Sequence, residues 1–335
     1  MGIKIGNIET RNNVFLAPMS GITDEPFRAI AHESGAGLVV SEMVASEELV
    51  RERPDMMRRA RGNKKISPFV IQLAGRETKW MSEGARVAQD LGADIIDINM
   101  GCPARQVTGG LSGSALMRNL DHALTLIEAT VAAAQVPVTL KMRLGWDENS
   151  LNAPELARRA EAAGISLITV HGRTRCQFYT GKADWNAIKA VRDVIKIPLI
   201  ANGDGNSKQD AVDMMKASGA DGIMIGRGSY GRPWWPGVIA QSLESNMIEK
   251  DPTLSHEHSY LTKQHEETIA LYGGTLGNRN FRKHLGWTIT RLEQRSLISN
   301  ETAIHLSSTL LRESDNNKVL EAINKIYAQQ LEKAA

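Results

Sequence analysis

Two cysteines in 335 residues cannot build a disulfide framework, so the fold has to be held by its core and fits a reducing cytoplasm. No apolar run approaches the roughly 20 residues that cross a bilayer. The start, Met1-Gly2-Ile3-Lys4-Ile5-Gly6, lacks the long apolar stretch of a secretory leader. A membrane role is therefore not expected. There is little charge imbalance: the net of +2 gives no global field, and any nucleic-acid surface must come from local patches. Low-complexity tracts and long linkers are missing too, and charged residues at 23% argue against wholesale disorder. No metal is expected. What the chain does have is 42% hydrophobic residues, enough for one large domain and a smaller one.

Those apolar residues fall into eight short β-rich runs separated by helical stretches: Val14–Pro18, Leu38–Glu42, Phe69–Ala74, Ile95–Asn99, Val136–Lys141, Leu167–His171, Pro198–Asn202 and Gly222–Gly226. Most are continuous Val/Ile/Leu, the pattern of parallel strands buried on both faces. Glycine-containing turns such as Leu91-Gly92-Ala93-Asp94 and Ser218-Gly219-Ala220-Asp221 precede several of them, as at a helix C-terminus leading into a strand. Eight βα units predict a (β/α)8 TIM barrel. A doubly wound sheet is the competing reading, but no Gly-x-Gly-x-x-Gly follows the first run. The barrel is expected over residues 1–242. From 243 to 335 strands disappear and helical periodicity marks Leu261–Leu271, Phe281–Leu292, Thr302–Leu311 and Lys318–Leu331, a helical-bundle domain. Leu276-Gly277-Asn278 reads as a break there, with Asn278 as an N-cap.

Function in such a barrel sits at the C-terminal strand ends. Here the otherwise apolar runs end in Glu42, Asn99, Lys141, His171 and Asn202, with Gln72 near another end. Core packing does not select such residues. Cys102 follows the fourth run in Asn99-Met100-Gly101-Cys102-Pro103 and suits an acid or a nucleophile. Loops after the seventh and eighth runs, Asn202-Gly203-Asp204-Gly205 and Gly226-Arg227-Gly228, offer glycine backbone and one cation for a phosphate, or simply make tight turns. Lys141 suits either a Schiff base or an anionic ring system. With Arg143 and His171 beside it, an electron-rich cofactor such as an isoalloxazine is favoured.

These residues carry a resemblance. Ala17-Pro18-Met19-Ser20-Gly21-Ile22-Thr23-Asp24, the Cys102 segment and His171-Gly172-Arg173-Thr174 resemble the tRNA-dihydrouridine synthases. Gln177-Phe178-Tyr179, Ala183-Asp184-Trp185, Ala201-Asn202-Gly203-Asp204 and Gly226-Arg227-Gly228 extend the likeness in order. Phe281-Arg282-Lys283-His284-Leu285-Gly286-Trp287 and the length are most similar to the bacterial B-type branch, although Thr288 stands where that branch carries tyrosine. The resemblance implies an FMN enzyme that reduces a tRNA uridine, in the D-loop at position 17, to 5,6-dihydrouridine with NADPH as electron source. It implies that Pro18, Met19 and Ser20 lie against the flavin and that Gln72 bonds its polar edge. Lys141 and His171 hold the ring and ribityl region, while Asn202, Gly203, Asp204, Gly226 and Arg227 take the phosphate end. Asn99 and Arg143 contact flavin or uracil, and Cys102 is the catalytic residue.

The chemistry needs hydride at one uracil carbon and a proton at the other. Cys102 would protonate C5 after hydride from flavin N5 reaches C6, and that role wants a thiol rather than a thiolate. The glycine-rich stretch Thr108–Ser114 reads as a mobile lid carrying Cys102 into place, or as an ordinary loop. Cys176 reads as incidental. A uridine inside folded tRNA must be extruded, and its backbone needs positive charge. Residues 51–65 hold seven basic side chains against two acidic ones. Residues 279–295 hold five against one, with Arg279, Arg282 and Lys283 expected to face RNA. A flavin barrel reducing a free pyrimidine or orotate-like molecule, a Lys141 aldolase and a non-catalytic RNA binder are the rivals. No obligatory protein partner is expected, and a monomer suits a one-to-one tRNA complex.

Overall fold

The computed structural model describes residues 1–334. It opens with a small antiparallel hairpin, β1 (Lys4–Ile5) and β2 (Ile8–Glu9). Eight parallel strands then close into a barrel: β3 (Val14–Leu16), β4 (Leu38–Ala45), β5 (Val70–Ala74), β6 (Ile95–Met100), β7 (Val138–Arg143), β8 (Leu167–His171), β9 (Leu199–Asn202) and β10 (Gly222–Ile225), with β10 pairing back to β3. The (β/α)8 barrel expected from the eight runs is thus the fold. No helix among the described residues is long and apolar enough to cross a membrane.

Alternation along the strands divides the barrel interior into two layers. Toward the N-terminal end, Phe15, Leu38, Val40, Val70, Ile95, Leu167, Ile200 and Met224 form one apolar cluster. Ile3 and Ile5 of the hairpin region join that cluster and seal this end. Each such side chain, fully buried, contributes roughly 1.5–3 kcal/mol. One and two inward positions further along, β5, β6, β8 and β9 carry Gln72, Asp97, Asn99, His171 and Asn202 instead, and β7 adds Thr139 and Lys141. Register brings them level: Gln72 pairs with Asp97, Asp97 with Thr139, Asn99 with Lys141, and His171 with both Arg143 and Asn202. The apolar floor sets the frame, and the polar upper layer is where chemistry is possible.

The chain divides into two compact units. One comprises Met1–Gly228 with Pro236–Glu249; the other comprises Ser229–Trp235 with the chain from Lys250 onward. Residue 242 lies inside a helix, Trp235–Ser245. The second unit contains four longer helices, Leu254–Tyr272, Gly274–Gln294, Asn300–Leu310 and Asn316–Ala334. Leu261, Phe281, Leu285, Ile289, Leu292, Val319, Ile323 and Tyr327 build its core. The break expected at Leu276-Gly277-Asn278 is absent, because the Gly274–Gln294 helix runs straight through it. Asn278 is buried and donates Nδ2 to the Glu313 carbonyl rather than capping a helix. A Cβ on Gly277 would lie 2.9 Å from Ile269 Cα and the Thr268 carbonyl, so glycine serves close helix packing here.

Candidate active site

Cys102 lies in the loop after β6, and its backbone is held from three directions. Asn99 Oδ1 accepts the N–H groups of Gly101 (3.2 Å) and Cys102 (3.0 Å). Arg143 Nε donates to the Gly101 carbonyl at 2.8 Å. Ser114 donates to the Cys102 carbonyl twice, from its backbone N–H at 3.1 Å and from Oγ at 2.8 Å. Asn99 is itself oriented by a buried chain across three strands. Its Nδ2 donates to Gln72 Oε1 (2.7 Å), Gln72 Nε2 donates to Asp97 Oδ2 (2.7 Å), and Thr139 Oγ1 donates to Asp97 Oδ1 (2.6 Å). Burial pushes the Asp97 carboxyl up, opposed by those two bonds and by Lys141. Burial also raises the Cys102 thiol, outweighing the Ala104 N–H and the cations Arg143 and Lys141. The residue is therefore a thiol near neutral pH.

The lid reading of Thr108–Ser114 needs revision at Cys102. A short helix, Arg105–Thr108, and a 3-10 turn, Gly113–Arg118, occupy this stretch, and its second end is tied back to Cys102 through Ser114. Gly113 has φ +60°, and a Cβ there would lie 2.9 Å from the Cys102 carbonyl oxygen. The segment forms a clamp on the cysteine. Cys176 is exposed, and its N–H donates to the Trp146 carbonyl.

Across the mouth, Lys141 Nζ donates to Asn202 Oδ1 at 3.0 Å, while Asn202 Nδ2 donates to the Met224 carbonyl at 2.7 Å. Burial, then Arg143, brings Lys141 down to about 8, so the ammonium is mostly retained at neutral pH. Arg143 is pushed down to about 10 by burial and stays charged. Its Nη1 donates to the carbonyls of Thr174 and Phe178, both at 2.9 Å, so this guanidinium organises two loops as well as facing the mouth. His171 is held well below its ordinary value, first by burial and then by Arg143, Lys141, Arg173 and Arg227. A guanidinium can only donate, so the 3.3 Å contact from Arg173 Nη1 makes His171 Nε2 an acceptor, with the ring proton on Nδ1. Four cations around one neutral imidazole leave a positive potential suited to an anion.

The phosphate loops are only partly as expected. The Asp204 carboxylate is committed to Arg173 (2.6 and 3.0 Å), Arg227 (3.2 Å) and the Ala183 N–H (2.8 Å). Burial would raise it, but those donors outweigh burial and hold it below its usual range. A carboxylate so placed orients cations rather than contacting a phosphate. Gly203 has φ +119°, and a Cβ there would lie 2.9 Å from the His171 ring. A Cβ on Gly226 would sit in ordinary contact with Ala17 Cβ and Met19 Sδ, both at 3.7 Å. Pro18, Met19 and Ser20 follow β3, with the first two half-buried and Ser20 exposed. Gln72 is fully buried, with both ends of its amide bonded inside the protein.

Sequence reasoning passed over several residues here. Arg173 is buried and joins Asp204, the Thr180 and Gly181 carbonyls and His171. Its position two residues after His171 was the available signal. Tyr179 is exposed, with Arg227 4.9 Å and Arg143 5.4 Å from its ring centroid. Ser114 gave no signal at all, being one of two serines in a glycine-rich loop.

The basic side chains of the helical unit differ in their surroundings. In the helical unit, Arg279 is exposed, Arg282 Nη2 donates to the Glu313 carbonyl at 3.2 Å, and Lys283 is half-buried. Arg291 pairs with Asp251 and Arg295 with Glu257, both at 2.7 Å, so those two are neutralised locally.

Residues 15–324 match the family described as Dihydrouridine synthase (Dus). The chain belongs to that family. Among named relatives, a probable tRNA-dihydrouridine synthase of Rhizobium leguminosarum bv. phaseoli is 57% identical over 85% of this chain and 87% of its own. One from Rhodobacter capsulatus is 48% identical over 98% of this chain and 99% of its own, so the likeness includes the helical unit. A tRNA-dihydrouridine synthase B of Xanthomonas axonopodis pv. citri is 42% identical over 85% and 86%, in line with the B-type resemblance. Among solved structures, morphinone reductase superposes with a TM-score of 0.54 at 13% identity, covering 76% of this chain and 91% of that one. That last likeness is one of fold. As a dihydrouridine synthase family member, the chain is an oxidoreductase whose candidate site is the polar mouth described above.

Proposed function

We propose that this protein reduces the C5–C6 bond of a D-loop uridine in tRNA, position 17, to 5,6-dihydrouridine, with FMN in the barrel mouth and NADPH as electron source. It acts as a monomer in the cytoplasm, with residues 1–242 carrying the flavin chemistry and residues 243–335 contributing to tRNA binding. The observation that carries the reading is one juxtaposition: a clamped, protonated Cys102 on the loop after β6, with Lys141, neutral His171 and Asn202 at the ends of β7, β8 and β9. Lys141 and Arg143 keep their charge while hydrogen-bonded to amide and carbonyl oxygens, and that positive charge suits an anionic ring system. The residues present therefore fit FMN.

When bound, FMN supplies the hydride that uracil C6 must receive. Cys102 holds the proton destined for C5, and its raised thiol keeps that proton in place at neutral pH. Lys141, steadied by Asn202, holds positive charge against the electron-rich ring. His171, accepting from Arg173, has a free Nδ1 proton to donate toward the cofactor. Pro18, Met19 and Ser20 border it from the β3 side, and Gly203, Gly226 and Arg227 border the phosphate end. Asn99 and Gln72 act chiefly through Cys102, whose turn they shape. Asp204 orients Arg173 and Arg227.

Two measurements test this. Purified protein should show flavin absorbance bands, and Cys102→Ala should keep them while losing roughly 10²–10⁴-fold of single-turnover uridine reduction on unmodified tRNA. Loss of flavin from that variant would make the cysteine structural. Equal reduction of free uridine and tRNA would instead establish the free-pyrimidine reading.

A further inference from the structure

The cluster of seven cations between residues 51 and 65 is not uniform. Arg51 pairs with Glu47 at 2.7 Å, and Arg53 with Glu48 at 2.7 Å and Asp55 at 2.6 Å. Arg59 donates to the Met43 carbonyl at 3.2 Å. Arg61, Lys64 and Lys65 differ. All three side chains are exposed, and none has an acidic partner among the described residues.

The backbone beneath these three is anchored from inside. The buried Arg28 donates Nη2 to the Arg61 carbonyl (3.3 Å) and Nη1 to the Thr23 carbonyl (2.7 Å). Asn63 donates its side-chain amide to Glu25, accepts the Lys65 N–H on Oδ1 at 2.9 Å, and accepts the Ile66 N–H on its carbonyl at 2.8 Å. Gly62 lies where a Cβ would come 3.0 Å from the Phe69 ring. Ile66 is packed with Leu16, Phe27 and Val39 in a core cluster. Thr23 and Glu25 connect this loop to the segment that leaves β3 at the barrel mouth, the same segment that carries Pro18, Met19 and Ser20. The loop is therefore fixed beside the mouth with its charges turned outward.

Three like charges within five residues repel one another, and a loop held this firmly cannot spread them apart. A polyanion relieves that repulsion, and it gains further from the release of its condensed counterions. We propose that Arg61, Lys64 and Lys65 form a phosphate strip that takes the sugar–phosphate backbone of the RNA flanking the uridine delivered to the mouth. This rests on the tRNA reading above and deepens it, since it assigns the contact to three of the seven cations and withholds it from Arg51 and Arg53. The strip positions backbone without reading sequence, as phosphate contacts do.

The test uses the full-length, flavin-loaded protein and fluorescently labelled tRNA, with affinity measured by anisotropy across a KCl series. The triple variant Arg61→Gln, Lys64→Gln, Lys65→Gln should flatten the slope of log affinity against log salt by about 2 to 3 and weaken binding at physiological salt by at least about tenfold. Flavin absorbance and melting temperature should stay at wild-type values. The control Arg51→Gln, Arg53→Gln should leave the slope unchanged. A triple variant with the wild-type slope, or a control pair that flattens it equally, overturns the strip while leaving the tRNA reading intact. Tight competition by polyglutamate at wild-type strength, lost in the triple variant, would assign the strip to an acidic protein and overturn it too. Wild-type protein that fails to bind tRNA at any salt would sink the tRNA reading itself, and the strip with it.

Discussion

The decisive side chain at the site is less a reactive cysteine than a positioned one. The Cys102 N–H donates to Asn99 Oδ1, and its carbonyl accepts two bonds from Ser114. Removing the Ser114 hydroxyl leaves the N–H bond in place, so the direct stability cost is about 0.5–1.5 kcal/mol. The larger consequence is geometric, because a proton donor displaced by a fraction of an ångström loses rate steeply. Ser114→Ala is expected to lower single-turnover reduction roughly 10- to 100-fold while KM for tRNA stays near wild type. In a Cys176→Ala background, the pH profile of Cys102 alkylation should move as well, because the loosened turn lets water reach the buried thiol. Wild-type alkylation should half-rise at a higher pH than that of an exposed thiol, since burial raises Cys102. The variant should half-rise lower. A fall in melting temperature with an unmoved alkylation profile would make Ser114 merely structural. Cys102, Lys141, His171 and Asn202 were legible in the sequence because each interrupts or follows an apolar run. Ser114 was not, since its role is a bond to a carbonyl twelve residues back, and nothing in residue type announces that.

Elements were set by two different signals, and they differ in how far sequence alone reveals them. A barrel strand is flanked by turns and buried on both faces, so its apolar run shows itself; the eight runs coincide with β3 to β10 to within a few residues. Two ends moved: β7 continues through Arg143, because the upper interior of this barrel is hydrogen-bonded rather than apolar, and β4 continues through Ala45, pairing with β5 beyond a register shift. The hairpin β1–β2 is too short to have a periodicity. In the helical unit, glycine and asparagine misdirected the reading, since local propensity there gives way to packing between helices. Gly277 makes this testable. Glycine to alanine inside a solvent-facing helix gains up to about 1 kcal/mol, but here the added methyl meets backbone atoms at 2.9 Å that cannot rotate away. Overpacking of that kind costs about 1–3 kcal/mol. Gly277→Ala should therefore destabilise, seen as an earlier urea midpoint for the helical signal. A stabilised variant would show that the two helices are free to part.

At the scale of the whole molecule, the candidate residues divide cleanly between units. Every flavin-facing candidate from Pro18 to Arg227 lies within Met1–Gly228, and Arg279, Arg282 and Lys283 lie in the helical unit. If holding flavin and holding RNA are separate duties, they should fail separately. Lys141→Met removes the buried ammonium at the end of β7 and leaves Asn202 Oδ1 without its donor. That variant is expected to lose most of its flavin absorbance and to bind tRNA with wild-type affinity. Arg279→Glu with Lys283→Glu changes the charge of the helical unit by four units. It is expected to weaken tRNA binding at least about tenfold at physiological salt, with flavin absorbance and reduction by NADPH unchanged. Absorbance spectra and anisotropy on the same four preparations (wild type, each variant, and the two combined) give the answer, because independent duties make the combined losses add in log affinity. If Lys141→Met also loses tRNA, the bound cofactor is itself part of the RNA-binding surface, and the division of labour between the units fails.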